Sequence, residues 1–224
     1  GMIMHDAEVL NELLRIAKQH NTITIADEVM TGFGRTGTWF ASNQLSEVPD
    51  VICLSKGLTG GALPMSLSVC QRWLYDVFLT EDLNLAFLHG HSFTGNPLAC
   101  SAACASLDLM EEEGTWERIK AITEMHKTAA RSMKTWPGVK EVRCLGTILA
   151  IQVESDTTAG YMHPVRQRLY DAFMKHGLLV RPLGDVIYLL PPYVISDEEL
   201  RWAYGIFEEV LREEIAEKIS EDVH

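Results

Sequence analysis

The sequence predicts an α/β layer structure followed by a smaller α+β domain. Two observations carry this expectation. Amphipathic helical stretches alternate with short β-branched and apolar runs in the first half, the pattern that builds a helix-covered sheet. Trp136-Pro137-Gly138 then breaks the pattern, and strand-like and helical stretches resume beyond it in a different order. A boundary is therefore expected near Trp136 to Val139, dividing residues 1–137 from residues 138–224.

Val9, Leu10, Leu13, Leu14 and Ala17 recur at helical spacing and Asn21 offers a left-handed stop, so a helix is expected from Asp6 to His20. It would need a sheet to cover. Thr22 to Ala26 and Val51 to Leu54 have the composition of buried parallel strands, with Leu67 to Cys70 as a weaker third. Asn96 to Met110 reads as a buried helix ended by Gly114, and Thr115 as the cap of the next helix, which runs to about Lys134. Strands are then expected at Leu145 to Val153, Leu178 to Val180 and Val186 to Leu190, with a helix from His163 to His176 between the first two. Ser196 and Glu199 form a capping box that opens the last helix.

The 224 residues are 47% hydrophobic and 22% charged, a balance that supports a packed core. A net charge of -12 without a basic run excludes a phosphate-backbone partner such as nucleic acid. No stretch has the length and apolarity of a membrane span or the pattern of a signal peptide, so a cytoplasmic protein is expected. Five cysteines without a C-x-x-C pair suit reduced thiols. His89 and His91 lack an evident third ligand, so no metal is expected. Cys100 and Cys104 share a helix face and read as packing residues.

Asp27 and Lys56 each follow a predicted parallel strand at its carboxyl end, where open α/β sheets place ligands. Charges there are costly unless paired or used. Pyridoxal phosphate would use both, because its aldehyde takes a lysine amine and its ring nitrogen needs a carboxylate to stay protonated. From spacing alone the plainer alternative stays open, with Asp27 capping a turn and Lys56 on the surface.

The surrounding blocks carry a resemblance. Ile25-Ala26-Asp27-Glu28-Val29, continuing to Thr31-Gly32-Phe33-Gly34-Arg35-Thr36-Gly37, then Ser55-Lys56-Gly57-Leu58-Thr59-Gly60-Gly61, then His89-Gly90-His91-Ser92-Phe93-Thr94-Gly95-Asn96-Pro97, together resemble the class III aminotransferases of the fold-type-I pyridoxal-phosphate superfamily. The resemblance implies an enzyme whose residues 1–137 are the C-terminal part of the cofactor-binding large domain and whose residues 138–224 are the small C-terminal domain. Leu58 to Gly61 with Leu63-Pro64, and Arg181 to Tyr193, are similar to members that move an amino group from S-adenosylmethionine to 8-amino-7-oxononanoate in biotin biosynthesis.

By motif position the resemblance implies that Lys56 holds the cofactor and carries the catalytic proton, and that Asp27 bonds the ring nitrogen. Val29 would pack on a ring face, and Ser92 would reach the cofactor phosphate of the opposite subunit of a homodimer. Arg181 would bind the acceptor's carboxylate, with Arg35 and Tyr188 in or near the substrate site. Three alternatives stay open at single residues: Val29 as core, Ser92 as a helix-entry cap and Arg35 as a solvated loop residue.

Family members are longer, and the part without a counterpart here normally precedes the helix at Glu8. The chain is accordingly expected to be an incomplete fragment, weak in cofactor binding and in turnover without a second chain carrying the N-terminal half. A different class III donor or acceptor, or a non-catalytic self-associating role, are the rival readings.

Overall fold

A computed structural model describes residues 1–154 and 165–221, with side chains described as far as Glu213 in the last helix. The chain forms two compact units: His5–Trp116, and Glu117–His224 joined by Gly1–Met4. Ala130 and Met133, which precede Trp136 in the chain, belong to the core of the second.

In the first unit, helix α1 (Ala7–Gln19) starts where the Asp6 carboxylate accepts from the N–H groups of Glu8 at 2.8 Å and Val9 at 3.3 Å. It ends before Asn21, whose φ of 52° is the left-handed stop expected there. The apolar stripe of Val9, Leu13 and Ile16 is exposed. What anchors the helix is polar: buried Asn11 accepts from the N–H groups of Ser46 at 3.0 Å and Glu47 at 3.1 Å.

Strands β1 (Ile25–Asp27), β2 (Val51–Leu54) and β3 (Leu67–Cys70) form one sheet in that order. β1 begins later than its composition suggested, because Thr24 is committed elsewhere. Its N–H and its hydroxyl both donate to Asp50 Oδ2 at 2.8 Å, while the N–H groups of Asp50 and Val51 donate to its carbonyl at 3.0 Å. This clamp sets the parallel register in which Ile25 faces Val51 and Asp27 faces Cys53.

β3 corrects the expectation of buried parallel strands, since it runs antiparallel to β2 with Leu67 opposite Leu54 and is exposed along its length. The residues between fold as a 3-10 turn at Lys56–Thr59 and a turn through Gly60 and Gly61, where a parallel return needs a helical crossover. A short helix α2 (Arg72–Asp76) follows, then α3 (Pro97–Glu111), capped by Asn96, whose side chain accepts from the N–H groups of Leu98 and Ala99.

Helix α4 (Thr115–Met133) includes Thr115 itself, so that residue is not its cap. The Thr115 hydroxyl instead donates to the Leu109 carbonyl at 2.7 Å. The second unit then builds an antiparallel sheet in the order β4 (Val139–Leu145), β5 (Ile148–Val153), β6 (Val186–Leu189), with α5 (Val165–Lys175) and α6 (Asp197–Glu221). The single strand expected over Leu145 to Val153 is the corner of a hairpin: Gly146, at φ 55°, turns the chain so that Leu145 pairs with Ile148. Leu178 to Val180, expected as a strand, joins no ladder. Residues 163–164 of the expected helix lie outside the described residues.

Leu149, Ile151 and Ile187 from the sheet pack with Phe173 of α5 and Phe207 of α6, whose ring centroids are 4.9 Å apart. The capping box at α6 forms in both directions: Ser196 N–H donates to Glu199 Oε2 at 2.7 Å and Glu199 N–H to Ser196 Oγ at 3.1 Å.

The Thr24 N–H, then the Thr24 hydroxyl, hold the Asp50 carboxyl below its ordinary pKa. A depressed folded pKa contributes stability that is present above the ordinary carboxylate range and lost as pH falls through the folded value. An Asp50→Asn variant should be less stable than the unchanged chain at pH 7 by about 1 kcal/mol. The gap should close as pH drops below the ordinary range, and urea midpoints at neutral and acid pH measure it.

Candidate active site

Because β1 and β2 are parallel and in register, their carboxyl ends lie side by side. Asp27 is the last residue of β1, and Lys56 follows the end of β2 after Ser55. The two residues singled out from the sequence thus stand at neighbouring strand ends of one sheet, and both side chains are exposed. Asp27 Oδ1 accepts from the Val29 N–H at 3.0 Å, which turns the chain away from the strand.

Lys56 sits in the left-handed region with φ 43°, a strained conformation for a residue with a Cβ. Its surroundings hold it there. On one side the Ser55 hydroxyl donates to the Met65 carbonyl at 2.7 Å; on the other the Gly61 N–H donates to the Lys56 carbonyl at 3.1 Å and the Thr59 hydroxyl to the Leu63 carbonyl at 2.6 Å. From α3, Ser106 Oγ donates to the Gly57 carbonyl at 3.2 Å.

Between the two strands the loop 28–44 folds over the turn that carries Lys56. Phe33, at φ 59° and buried, packs with Leu54, Leu58 and Ala103 and meets Phe40 edge-on at 5.7 Å. A Cβ on Gly57 would lie 3.0 Å from the Phe33 side chain, a tight approach that would make the ring shift by a few tenths of an ångström.

Glu28, next to Asp27, is 2% exposed. Its carboxylate accepts from the Thr31 hydroxyl, from the Ala41 N–H at 2.9 Å and from the Ser42 N–H at 2.7 Å. Sequence reasoning passed over Glu28. The available signal was a second acidic residue directly after a strand, ahead of a glycine-rich loop, where a carboxylate is either solvated or fully bonded.

Val29 and Arg35 are both partly buried on this loop. Ser92 is exposed ahead of α3, and Asn96 rather than Ser92 caps that helix. Arg181 and Tyr188 belong to the second unit, where they line one cavity of about 970 Å³ with Tyr170, Leu179, Leu189 and Trp202. The Arg166 Nε–H donates to the Pro182 carbonyl at 3.3 Å and steadies the backbone beside Arg181. The structure therefore gathers the candidates in two groups: Asp27, Val29, Arg35, Lys56 and Ser92 in the first unit, Arg181 and Tyr188 in the second.

His126 is a second residue that the sequence did not single out. It is fully buried in α4, with Nε2 facing the Thr147 carbonyl at 3.2 Å and Nδ1 facing the Tyr204 hydroxyl at 2.7 Å. A carbonyl can only accept, so Nε2 carries a hydrogen, and in the neutral ring Nδ1 then accepts from the Tyr204 hydroxyl. Burial pushes the Tyr204 hydroxyl well above its ordinary pKa, which keeps it protonated. Among the described residues no three His, Cys, Asp or Glu side chains gather to hold a metal, and no helix is long and apolar enough to cross a membrane.

An exposed primary amine and an exposed carboxylate at adjacent strand ends fit a ligand with an electrophilic carbon and a basic ring nitrogen. Comparison with known proteins points the same way. The profile of class-III aminotransferases matches residues 1–211. An adenosylmethionine-8-amino-7-oxononanoate aminotransferase of Synechococcus elongatus is 42% identical over 213 residues, which are 95% of this chain and 50% of the relative. A protein of the same name from Helicobacter pylori is 38% identical over 218 residues, 95% of this chain and 49% of its own length.

The crystal structure of the adenosylmethionine-8-amino-7-oxononanoate aminotransferase from Methanocaldococcus jannaschii superposes with a TM-score of 0.88 at 33% identity, over 95% of this chain and 51% of that one. The chain spans about half the length of the curated relatives it matches. Its mixed helix-and-sheet architecture is part of the fold-type-I arrangement expected from the sequence. The chain belongs to the class-III aminotransferases, a family of pyridoxal-phosphate-dependent enzymes.

Proposed function

We propose that the whole protein transfers an amino group from S-adenosylmethionine to 8-amino-7-oxononanoate, giving 7,8-diaminononanoate on the route to biotin. The observation that carries the chemistry is the register that sets Asp27 and Lys56 at neighbouring strand ends. The choice of acceptor is supported by the names of the relatives, and by the pocket in which Arg181 and Tyr188 stand beside apolar Leu179, Leu189 and Trp202. Such a lining suits a long aliphatic chain ending in a carboxylate.

Bound pyridoxal phosphate supplies the carbon that receives the amino group and a ring that withdraws electrons. The residues of this chain supply the rest. Asp27 accepts a hydrogen bond from the protonated ring nitrogen, and its charge keeps that proton in place. Lys56 Nζ would hold the cofactor and would take up and return the proton at the substrate carbon. Val29 packs against a ring face. Within the second unit, Arg181 would take the acceptor's carboxylate with two parallel N–H donors, beside Tyr188 in the same pocket.

Ser92 would bond the phosphate held by the other subunit of a homodimer, in the cytoplasm. Exposed Phe87, Leu88 and Phe93 flank it, an apolar surface that a second subunit would cover.

Incubation of the 224-residue chain with pyridoxal phosphate, followed by borohydride reduction, should leave a pyridoxyl group on the peptide that contains Lys56. Lys56→Ala should remove it, and labelling spread evenly over the other lysines would contradict the assignment. Turnover by this chain alone should be slight, so robust transamination without a second polypeptide counts against the reading as well. In the complete enzyme, Arg181→Ala should raise the KM for the acceptor by roughly 10- to 100-fold, the loss of a bidentate charged contact. An unchanged KM would point to a different acceptor.

A further inference from the structure

Glu28 is a carboxylate taken out of water, yet among the described residues its hydrogen bonds reach no cation. All of them come from its own loop: the Thr31 hydroxyl from the near side, and the N–H groups of Ala41 and Ser42 from the far side. The carboxylate therefore draws both ends of the Val29–Phe40 segment onto one point. Its backbone is fixed too, since Glu28 N–H donates to the Cys53 carbonyl of β2 at 2.9 Å and its carbonyl accepts from the Gly32 N–H at 3.0 Å.

The segment so closed carries Phe33 in a left-handed conformation, its ring against the Gly57 backbone. Gly57 follows Lys56, which is itself left-handed. Two strained residues on different loops are thus braced through one contact, and the brace starts at Glu28.

We propose that Glu28 is a positioning residue for the site of Asp27 and Lys56: its buried carboxylate closes the Val29–Phe40 loop, holds the Phe33 ring on Gly57, and so fixes where Lys56 leaves β2. This rests on the reading of Asp27 and Lys56 as the cofactor's partners. It goes beyond that reading by assigning the geometry of the amine to a residue that touches neither cofactor nor substrate. Glutamine has the same size but presents a donor to N–H groups that are donors themselves, so Glu28→Gln breaks the closure without emptying the space. Thr31→Val removes a single donor and leaves the two backbone ones.

The test uses the 224-residue chain and two readouts: the rate of tryptic cleavage after Arg35, and the yield of pyridoxyl-Lys56 after incubation with pyridoxal phosphate and reduction. Cleavage after Lys175, in the other unit, and the urea midpoint report on the fold as a whole. Glu28→Gln should speed cleavage after Arg35 and lower the Lys56 yield, each by roughly tenfold or more, as expected for a lost charged hydrogen bond. Cleavage after Lys175 should be unchanged. Thr31→Val should shift both readouts in the same direction by a smaller factor, and Glu28→Asp should recover part of the loss. If Glu28→Gln fails to fold, the Thr31→Val result decides.

Unchanged Arg35 protection and unchanged Lys56 yield would reduce Glu28 to a satisfied interior carboxylate and overturn the proposal. Faster cleavage with an unchanged yield overturns it as well, because the loop would then be held without consequence for the lysine. If the unchanged chain protects Arg35 but shows no preference for Lys56, the cofactor reading itself fails and the positioning role goes with it.

Discussion

The parallel pairing of Ile25–Asp27 with Val51–Leu54 is the constraint on which the rest depends. Only three residue pairs make this ladder, so the pairing needs help to hold its register. Thr24 and Asp50 supply it where the two strands begin: the Thr24 N–H and hydroxyl both donate to the Asp50 carboxylate at 2.8 Å. A slip of one position would send Asp27 to the opposite face of the sheet. The placement of Asp27 and Lys56 at the carboxyl ends is thus secured at the amino ends, by a pair outside the candidate site.

The strand ends also store strain. Phe33 and Lys56 are non-glycine residues at φ 59° and 43°, a conformation that costs of order 1–3 kcal/mol each. Strain persists only where the surroundings over-determine it. Ser55, Thr59 and Ser106 pin the backbone around Lys56 by donating to carbonyls, and the Glu28 carboxylate pins the loop that carries Phe33 by accepting from the N–H groups of Ala41 and Ser42. The Lys56 side chain is thus exposed while its backbone is pinned on both sides.

Local chemistry in the chain was legible. The Asn21 stop, the spans of β2 and β3, and the capping box of Ser196 and Glu199 all depend on a few neighbouring residues, and each is where the sequence put it. Features decided by distant partners were not. The direction of β3 follows from the turns after Lys56, and β4 carries Lys140, Glu141 and Arg143 in a strand whose order comes from pairing with β5. Leu178 to Val180 has strand composition but finds no ladder to join. At the site, the sequence located Asp27 and Lys56 and missed Glu28, because a buried carboxylate announces itself only once its donors, 13 and 14 residues away, are folded onto it.

The two units differ in how much of their stability is their own. The second buries a continuous core in which Leu149, Ile151, Leu169, Phe173, Ile187 and Phe207 interlock. The unit that carries Lys56 has a small cluster around Phe33, Leu54, Leu58 and Ala103, while Ile25 and Val69 on its sheet and Leu13 on α1 stay more than half or about half exposed. Burying each such side chain is worth about 1.5–3 kcal/mol, so whatever covers these surfaces contributes stability as well as shape. A ligand or partner that binds only the folded state adds to it by mass action. The register at the strand ends and the surface around it are therefore linked: occupancy of the apolar faces favours the same folded arrangement that aligns Asp27 with Lys56.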